Sequence, residues 1–113
     1  MSTTSEYSDH VWAADIVPAL QDYIAIPSLS PAFDPAWKDN GHVDRAVDLV
    51  VDWCRSRAVR GLTVEIRNLP GRTPLVMCVV PAFGTTPNTD DTVVLYGHID
   101  KQPEMTGCLS MWP

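Results

Sequence analysis

An α/β arrangement is the fold class that the sequence predicts, and three patterns predict it. Residues 42–60 carry apolar side chains at helical spacing. Residues 62–69 and 75–80 are strand-like runs on either side of the turn signal Pro70-Gly71-Arg72-Thr73. Residues 92–96 form a third apolar, β-branched run, which ends in Gly97-His98-Ile99-Asp100. With one more helix expected ahead of these, the order is helix, helix, strand, strand, strand, and no helix closes the series.

The polar residues 1–9 read as a mobile tail, and residues 1–14 as a flexible lead-in to the folded part. A helix is expected over much of residues 11–26, where Ile16, Leu20, Tyr23 and Ile24 recur on one face. Pro18 complicates it. Either Asp15 caps the start, with Pro18 in the first turn, or the helix kinks at Pro18. Pro27 ends it. Residues 27–41 are rich in Pro, Ser, Asp and Gly and read as a long connector, with Phe33 and Trp37 giving it packing of its own.

The helix at 42–60 has the clearest signature. Val43, Ala46, Val47, Val50 and Cys54 form an apolar stripe that Trp53 widens. Asp44 near its start and Arg55, Arg57 and Arg60 near its end suit the helix dipole, and Gly61 stands where a left-handed closing residue belongs. Asp44, Asp48 and Asp52 make an outer acidic row that reads as a solvated face. In the hairpin, Leu62, Val64 and Ile66 alternate, so one face is buried. Residues 75–80 and 92–96 are apolar throughout, as expected of strands covered on both sides.

A chain of 113 residues has room for one small domain with a modest core. Apolar residues at 45% and charged residues at 19% place it among folded globular chains and not disordered ones. A net charge of −6 argues against nucleic acid and anionic membrane surfaces as partners, because both need a basic face. Cys54, Cys78 and Cys108 are far apart and form no C-x-x-C pair, which argues against a disulfide framework and a thiolate zinc knuckle. Reduced, mostly buried thiols in a cytoplasmic protein are expected. The polar start lacks a signal peptide's pattern, and no apolar run approaches the roughly 20 residues that span a bilayer.

The chemistry lies in Gly97-His98-Ile99-Asp100. Side chains two apart on an extended chain point the same way, so His98 and Asp100 can face one cleft. In open α/β sheets ligands gather beyond the carboxyl ends of strands, where this pair stands. A neutral imidazole ligates zinc, and a carboxylate on its other ring nitrogen fixes the tautomer and raises basicity. Asp100 can serve as that orienter, and Gly97 lets backbone approach closely. The plainer alternative is a packed or hydrogen-bonded histidine, with Asp100 opening a turn completed by Pro103.

The string LYGHIDKQPE, together with IPSLS at residues 26–30, resembles the zinc metallopeptidase family of acetylornithine deacetylase, succinyl-diaminopimelate desuccinylase, carboxypeptidase G and the cytosolic dipeptidases. The resemblance runs from about residue 15 to residue 107 and includes the order of elements. It implies the N-terminal part of an α/β/α catalytic domain and a site of two zinc ions bridged by a carboxylate and a water or hydroxide. His98 would ligate one zinc, and Asp100 would take the supporting catalytic position. The implied chemistry is metal-assisted hydrolysis of amide bonds in small peptides or N-acyl amino acids, zinc lowering the pKa of water and polarising the carbonyl. Many members carry a smaller dimerisation domain, which implies a homodimer for a full-length protein.

The pattern departs after Gly107. The later ligands and the glutamate general base of the family have no counterpart in residues 108–113, which read as a divergent tail. A catalytic zinc takes about three protein ligands, and His98 is the one convincing candidate. His10 falls in the expected tail and His42 at a helix start. Glu104 and Glu65 make no dinuclear site, Ser28 and Ser30 suit turns or caps, and Trp12, Trp37 and Trp53 read as packing residues. The expectation is an N-terminal piece of a metal-dependent amide hydrolase, inactive alone. The alternatives are a non-catalytic remnant and a small interaction module using an exposed sheet edge.

Overall fold

The structure, a computed structural model, describes residues 3–105. Its elements are α1 (Thr4–Val11), a π-helical turn (Trp12–Ile16), α2 (Val17–Ala25), α3 (Trp37–Asn40), α4 (His42–Arg55), β1 (Thr63–Arg67) and β2 (Leu75–Val79). The chain is thus a mixed α/β structure whose sheet has two strands. The expected divergent tail at 108–113 lies outside the described residues.

Helix replaces the expected tail at the N-terminus. Thr3 accepts from the Glu6 backbone N–H at 3.2 Å, and the Glu6 carboxylate accepts from the Thr3 N–H at 2.7 Å. This reciprocal box satisfies two of the amides that a helix start leaves without partners. The π turn then carries α1 into α2. Pro18 has no N–H to donate, and its ring crowds the carbonyl four residues back, so widening the turn just before it lets the helix pass. Pro18 stands in the first turn of α2, as one of the two sequence expectations places it. Asp15 is no cap; it pairs with Arg57 at 3.0 Å, a half-exposed contact of the weak surface class. Ile26 takes an extended conformation (ψ 120°), as the residue before a proline must, and the helix stops there.

The connector is organised by Asp34. One carboxylate oxygen accepts from the Ala36 N–H at 3.0 Å and the other from the Asn40 side chain at 2.6 Å. Asn40 in turn accepts from the His42 N–H at 3.1 Å, and Gly41 at φ 71° turns the chain directly from α3 into α4. Trp37 packs on the core, whereas Phe33 is 52% exposed.

The core sits between α4 and the hairpin. Val43, Val47 and Val51 form its centre, against Trp37, Val64, Ile66, Val76 and Ile99. Val51 therefore takes the buried position expected of Val50, which is half-buried; Ala46 is fully enclosed. α4 ends at Arg55, short of the expected residue 60. Gly61 keeps a left-handed φ of 75°, but in the loop before β1 and not as the residue that closes the helix.

The strands pair antiparallel with Thr63 opposite Val79 and Arg67 opposite Leu75. Val64 and Ile66 face α4, as the alternation requires. β2 does not have the two covered faces expected of it: Leu75, Met77 and Val79 are 55%, 43% and 52% exposed. A single helix covers one face of this hairpin, and among the described residues nothing covers the other. The third expected strand does not form. Val93, Val94, Leu95 and Tyr96 are exposed and belong to no ladder. A strand exists by pairing, and neither hairpin edge takes this run as a neighbour. Two packing expectations also fail. Trp12 is exposed on the helix, and Cys78 is exposed where a buried thiol was expected; Cys54 is half-buried. Cys108 lies outside the described residues.

Candidate metal half-site at His98 and Asp100

The segment bearing His98 and Asp100 is held by the end of the first helical stretch. Leu29 and Lys101 form a parallel bridge: the Lys101 N–H donates to the Ser28 carbonyl and the Ser30 N–H to the Lys101 carbonyl, both at 2.8 Å. The Lys101 ammonium then turns back onto α2. It donates to the carbonyls of Tyr23, Ile24 and Ile26 and lies 4.2 Å from the centroid of the Tyr23 ring. These carbonyls lie at the C-terminal end of α2, where those of Tyr23 and Ile26 also accept the Ile26 and Ser28 N–H groups, and a cation there suits the dipole. Tyr23 completes the clamp by donating its hydroxyl to the Ile99 carbonyl at 2.5 Å. The two phrases of the sequence, IPSLS and GHIDK, are in this way joined through Ser28, Ser30, Tyr23 and Lys101.

Between these anchors the imidazole meets its carboxylate. His98 Nδ1 lies 3.1 Å from Asp100 Oδ1 and 2.8 Å from the Asp100 carbonyl oxygen. Both neighbours are acceptors, so in the neutral ring they favour the proton on Nδ1, with the lone pair on Nε2. The His98 side chain is 66% exposed and that of Asp100 32%. His98 lines two depressions. One, of about 330 Å³, is apolar and includes Leu20, Tyr23, Leu49 and Trp53; the other, of about 310 Å³, includes Val47, Val76 and Asp100.

The clamp perturbs its own members. Burial, and secondarily the Asp100 charge, push the Tyr23 phenol above its ordinary value. Burial draws the Lys101 ammonium below its ordinary value.

The remaining sequence candidates are not brought to this pair. Among the described residues no group of three or more His, Cys, Asp or Glu side chains could hold a metal ion. His10 lies in the last turn of α1. His42 opens α4, and its Nδ1 is buried without a hydrogen-bond partner. Glu65 pairs with Arg67 on the outer face of β1, and Glu104 is exposed. Ser30 makes the expected turn, accepting from the Ala32 N–H at 3.3 Å. Ser28 does not: its hydroxyl is fully buried and unpartnered, and its carbonyl makes the useful bond. The described residues therefore fit one corner of a zinc site and do not complete one. Neither the scan against protein-family models nor the search among curated proteins finds a match for this chain.

Sequence reasoning missed Tyr23 and Lys101 as supports of the pair. Tyr23 read as one more apolar position on a helix face, and nothing local signals a partner 78 residues away.

Proposed function

We propose that His98 and Asp100 are one ligand and its orienting carboxylate in a zinc-dependent hydrolase of amide bonds acting on small peptides or N-acyl amino acids. The Nδ1 contact with Asp100 at 3.1 Å carries this reading, because it leaves Nε2 free to bind a metal, as second-sphere carboxylates do for ligating histidines. The tie between IPSLS and GHIDK supports it further, since the resemblance rests on those two phrases. The zinc-peptidase form of the α/β fold, a cytoplasmic setting and a homodimer of the full-length protein belong to the same proposal. No catalytic step is assigned to the described residues, which lack the further ligands that a zinc site needs. Among them no helix is long and apolar enough to cross a membrane.

Zinc titration followed by NMR of the histidine rings tests the reading. The expected result is weak zinc binding that shifts the His98 resonances, disappears in His98→Ala and leaves little zinc after dialysis, with no dipeptidase or deacylase activity. Zinc that leaves the His98 ring untouched overturns it.

A second reading has its own observation. Val93, Val94, Leu95 and Tyr96 are between 82% and 93% exposed beside a hairpin with open edges, as in a module that binds by adding a strand. A concentration-dependent dimer with a cooperative melt and no histidine response to zinc favours that module.

A further inference from the structure

We propose that Cys54 and Cys78 are a redox modification site, a thiol pair that closes to a reversible disulfide and staples the end of α4 to β2. Two independent lines of geometry bring the pair together. Val43, Val47 and Val51 form the buried stripe of α4, and Cys54, three residues beyond Val51, continues that stripe at the end of the helix. On the hairpin, Val64 packs against the same stripe, and Cys78 is its direct cross-strand partner. Directly opposed residues in an antiparallel pair share a face, so Cys78 belongs to the side that meets α4. The Arg55 guanidinium, next to Cys54, reaches the Val64 carbonyl at 3.4 Å and fixes this end of the helix over this part of the strand. Both thiols are free in this structure; burial first, and then the neighbouring Cys78 thiol, raise the Cys54 thiol above its ordinary value.

The difference in exposure sets the order of events. Cys78 is exposed and Cys54 half-buried. With oxidised glutathione as the oxidant, the Cys78 thiolate attacks one glutathione sulfur and breaks that S–S bond. One glutathione leaves and takes up the proton that Cys78 lost. The Cys54 thiolate then attacks the Cys78 sulfur of the mixed disulfide and expels the second glutathione, which takes the Cys54 proton. Two protein thiols are oxidised and one small-molecule disulfide is reduced to two thiols. The raised Cys54 pKa lowers its thiolate fraction near neutral pH and so slows the second step.

The test equilibrates the whole chain carrying Cys108→Ser in glutathione buffers, native and in urea, followed by peptide mapping. The expected native product is the Cys54–Cys78 linked peptide, both thiols being lost together. In Cys54→Ser the expected product is a glutathione adduct on Cys78. Native structure should favour the linkage by about tenfold or more over the urea-unfolded chain, ~30 mV in potential. A native chain that holds glutathione on Cys78 while Cys54 stays free overturns the proposal, as does a linkage no more favoured than in urea. Should Cys108→Ser fail to fold, the same mapping on the unsubstituted chain decides: a predominant Cys54–Cys78 link supports the pair, and predominant links to Cys108 overturn it.

Discussion

Lys101 caps the helix that contains Tyr23, and Tyr23 holds the segment that leads into Lys101. The ammonium donates to the Tyr23 carbonyl and lies over the Tyr23 ring, while the Tyr23 hydroxyl holds the Ile99 carbonyl. Sequence neighbours of His98 are thereby fixed to a helix end that lies some seventy-five residues earlier. Replacing Lys101 by Met keeps the apolar stem and removes the charged donor. The expected loss is about 1–2 kcal/mol, from hydrogen bonds to a charged group and a helix-end charge that is only partly buried. Urea unfolding measures it. Lys101→Arg should recover part of the loss, since a guanidinium also donates and stacks. An unchanged midpoint in Lys101→Met would mean that these contacts are energetically idle.

The same clamp has a local readout at the imidazole. With Asp100 Oδ1 and the Asp100 carbonyl both facing Nδ1, the Nδ1-protonated tautomer should predominate in neutral His98. Asp100→Ala removes one of the two acceptors, and nitrogen-15 shifts should move toward the Nε2-protonated form that free imidazole favours. Zinc affinity should fall with it by about tenfold, the usual size of an outer-sphere loss. A tautomer ratio indifferent to Asp100→Ala would show that the backbone oxygen alone orients the ring.

The helix stripe and the hairpin were legible because both are local. Val43, Ala46 and Val47 announce a buried face through spacing alone, and Pro70-Gly71 marks the turn between β1 and β2. The helix at residues 4–11 was not, because its signal is a capping box of three polar residues and a Glu inside a segment with no apolar stripe. Residues 92–96 show the opposite failure. Their β-branched, apolar composition specifies a strand, but composition cannot supply a partner edge, and the described residues present none to them. The His98–Asp100 contact followed from residue spacing, whereas Tyr23 and Lys101 depend on tertiary folding that no local pattern encodes.

Core substitutions at the interface of α4 and the hairpin should be costly for so small a core. Val47 is 3% exposed and touches the centre of the cluster. Val47→Ala removes two methyl groups and leaves a void, an expected loss of about 2 kcal/mol. Ala46 is fully enclosed, so Ala46→Leu should overpack the site and cost about 1–3 kcal/mol. Denaturant midpoints at constant slope check both, and tolerance of either change would show that the interface is loosely packed.

Stability should decline on the alkaline side, with three groups in play. The Cys54 and Tyr23 pKa values are raised in the folded chain, from 9.0 and 10.0. The folded form keeps protons that the unfolded form gives up, so their contribution is complete below pH 9.0 and is lost as pH rises through the folded values. Lys101 works in the other direction. Its pKa is lowered from 10.5, so the unfolded chain holds that proton longer and stability gains between the folded value and 10.5. Unfolding measured across this range should show Cys54→Ser flattening the first part of the decline and Tyr23→Phe the later part. Lys101→Met should steepen it. A decline untouched by Cys54→Ser and Tyr23→Phe would place its origin elsewhere.

The exposed run at Val93, Val94, Leu95 and Tyr96 should govern self-association. Its side chains are 87%, 82%, 93% and 89% exposed, so they add little to the fold of this chain. A short apolar segment of high β-propensity without a charge or a proline is a template for pairing with another strand. Leu95→Lys places a charge in its middle, at a position that makes no packing contact worth losing. The expected result is a thermal midpoint within the range of a neutral surface change, about 0.5 kcal/mol, and a clear fall in the dimer or aggregate fraction by sedimentation. Val51→Lys, at a buried position of α4, should instead unfold the chain, which separates loss of pairing from loss of fold. If Leu95→Lys destabilised the monomer as Val51→Lys does, the run would have to be packed in solution, and the strand expected from its sequence would be present after all.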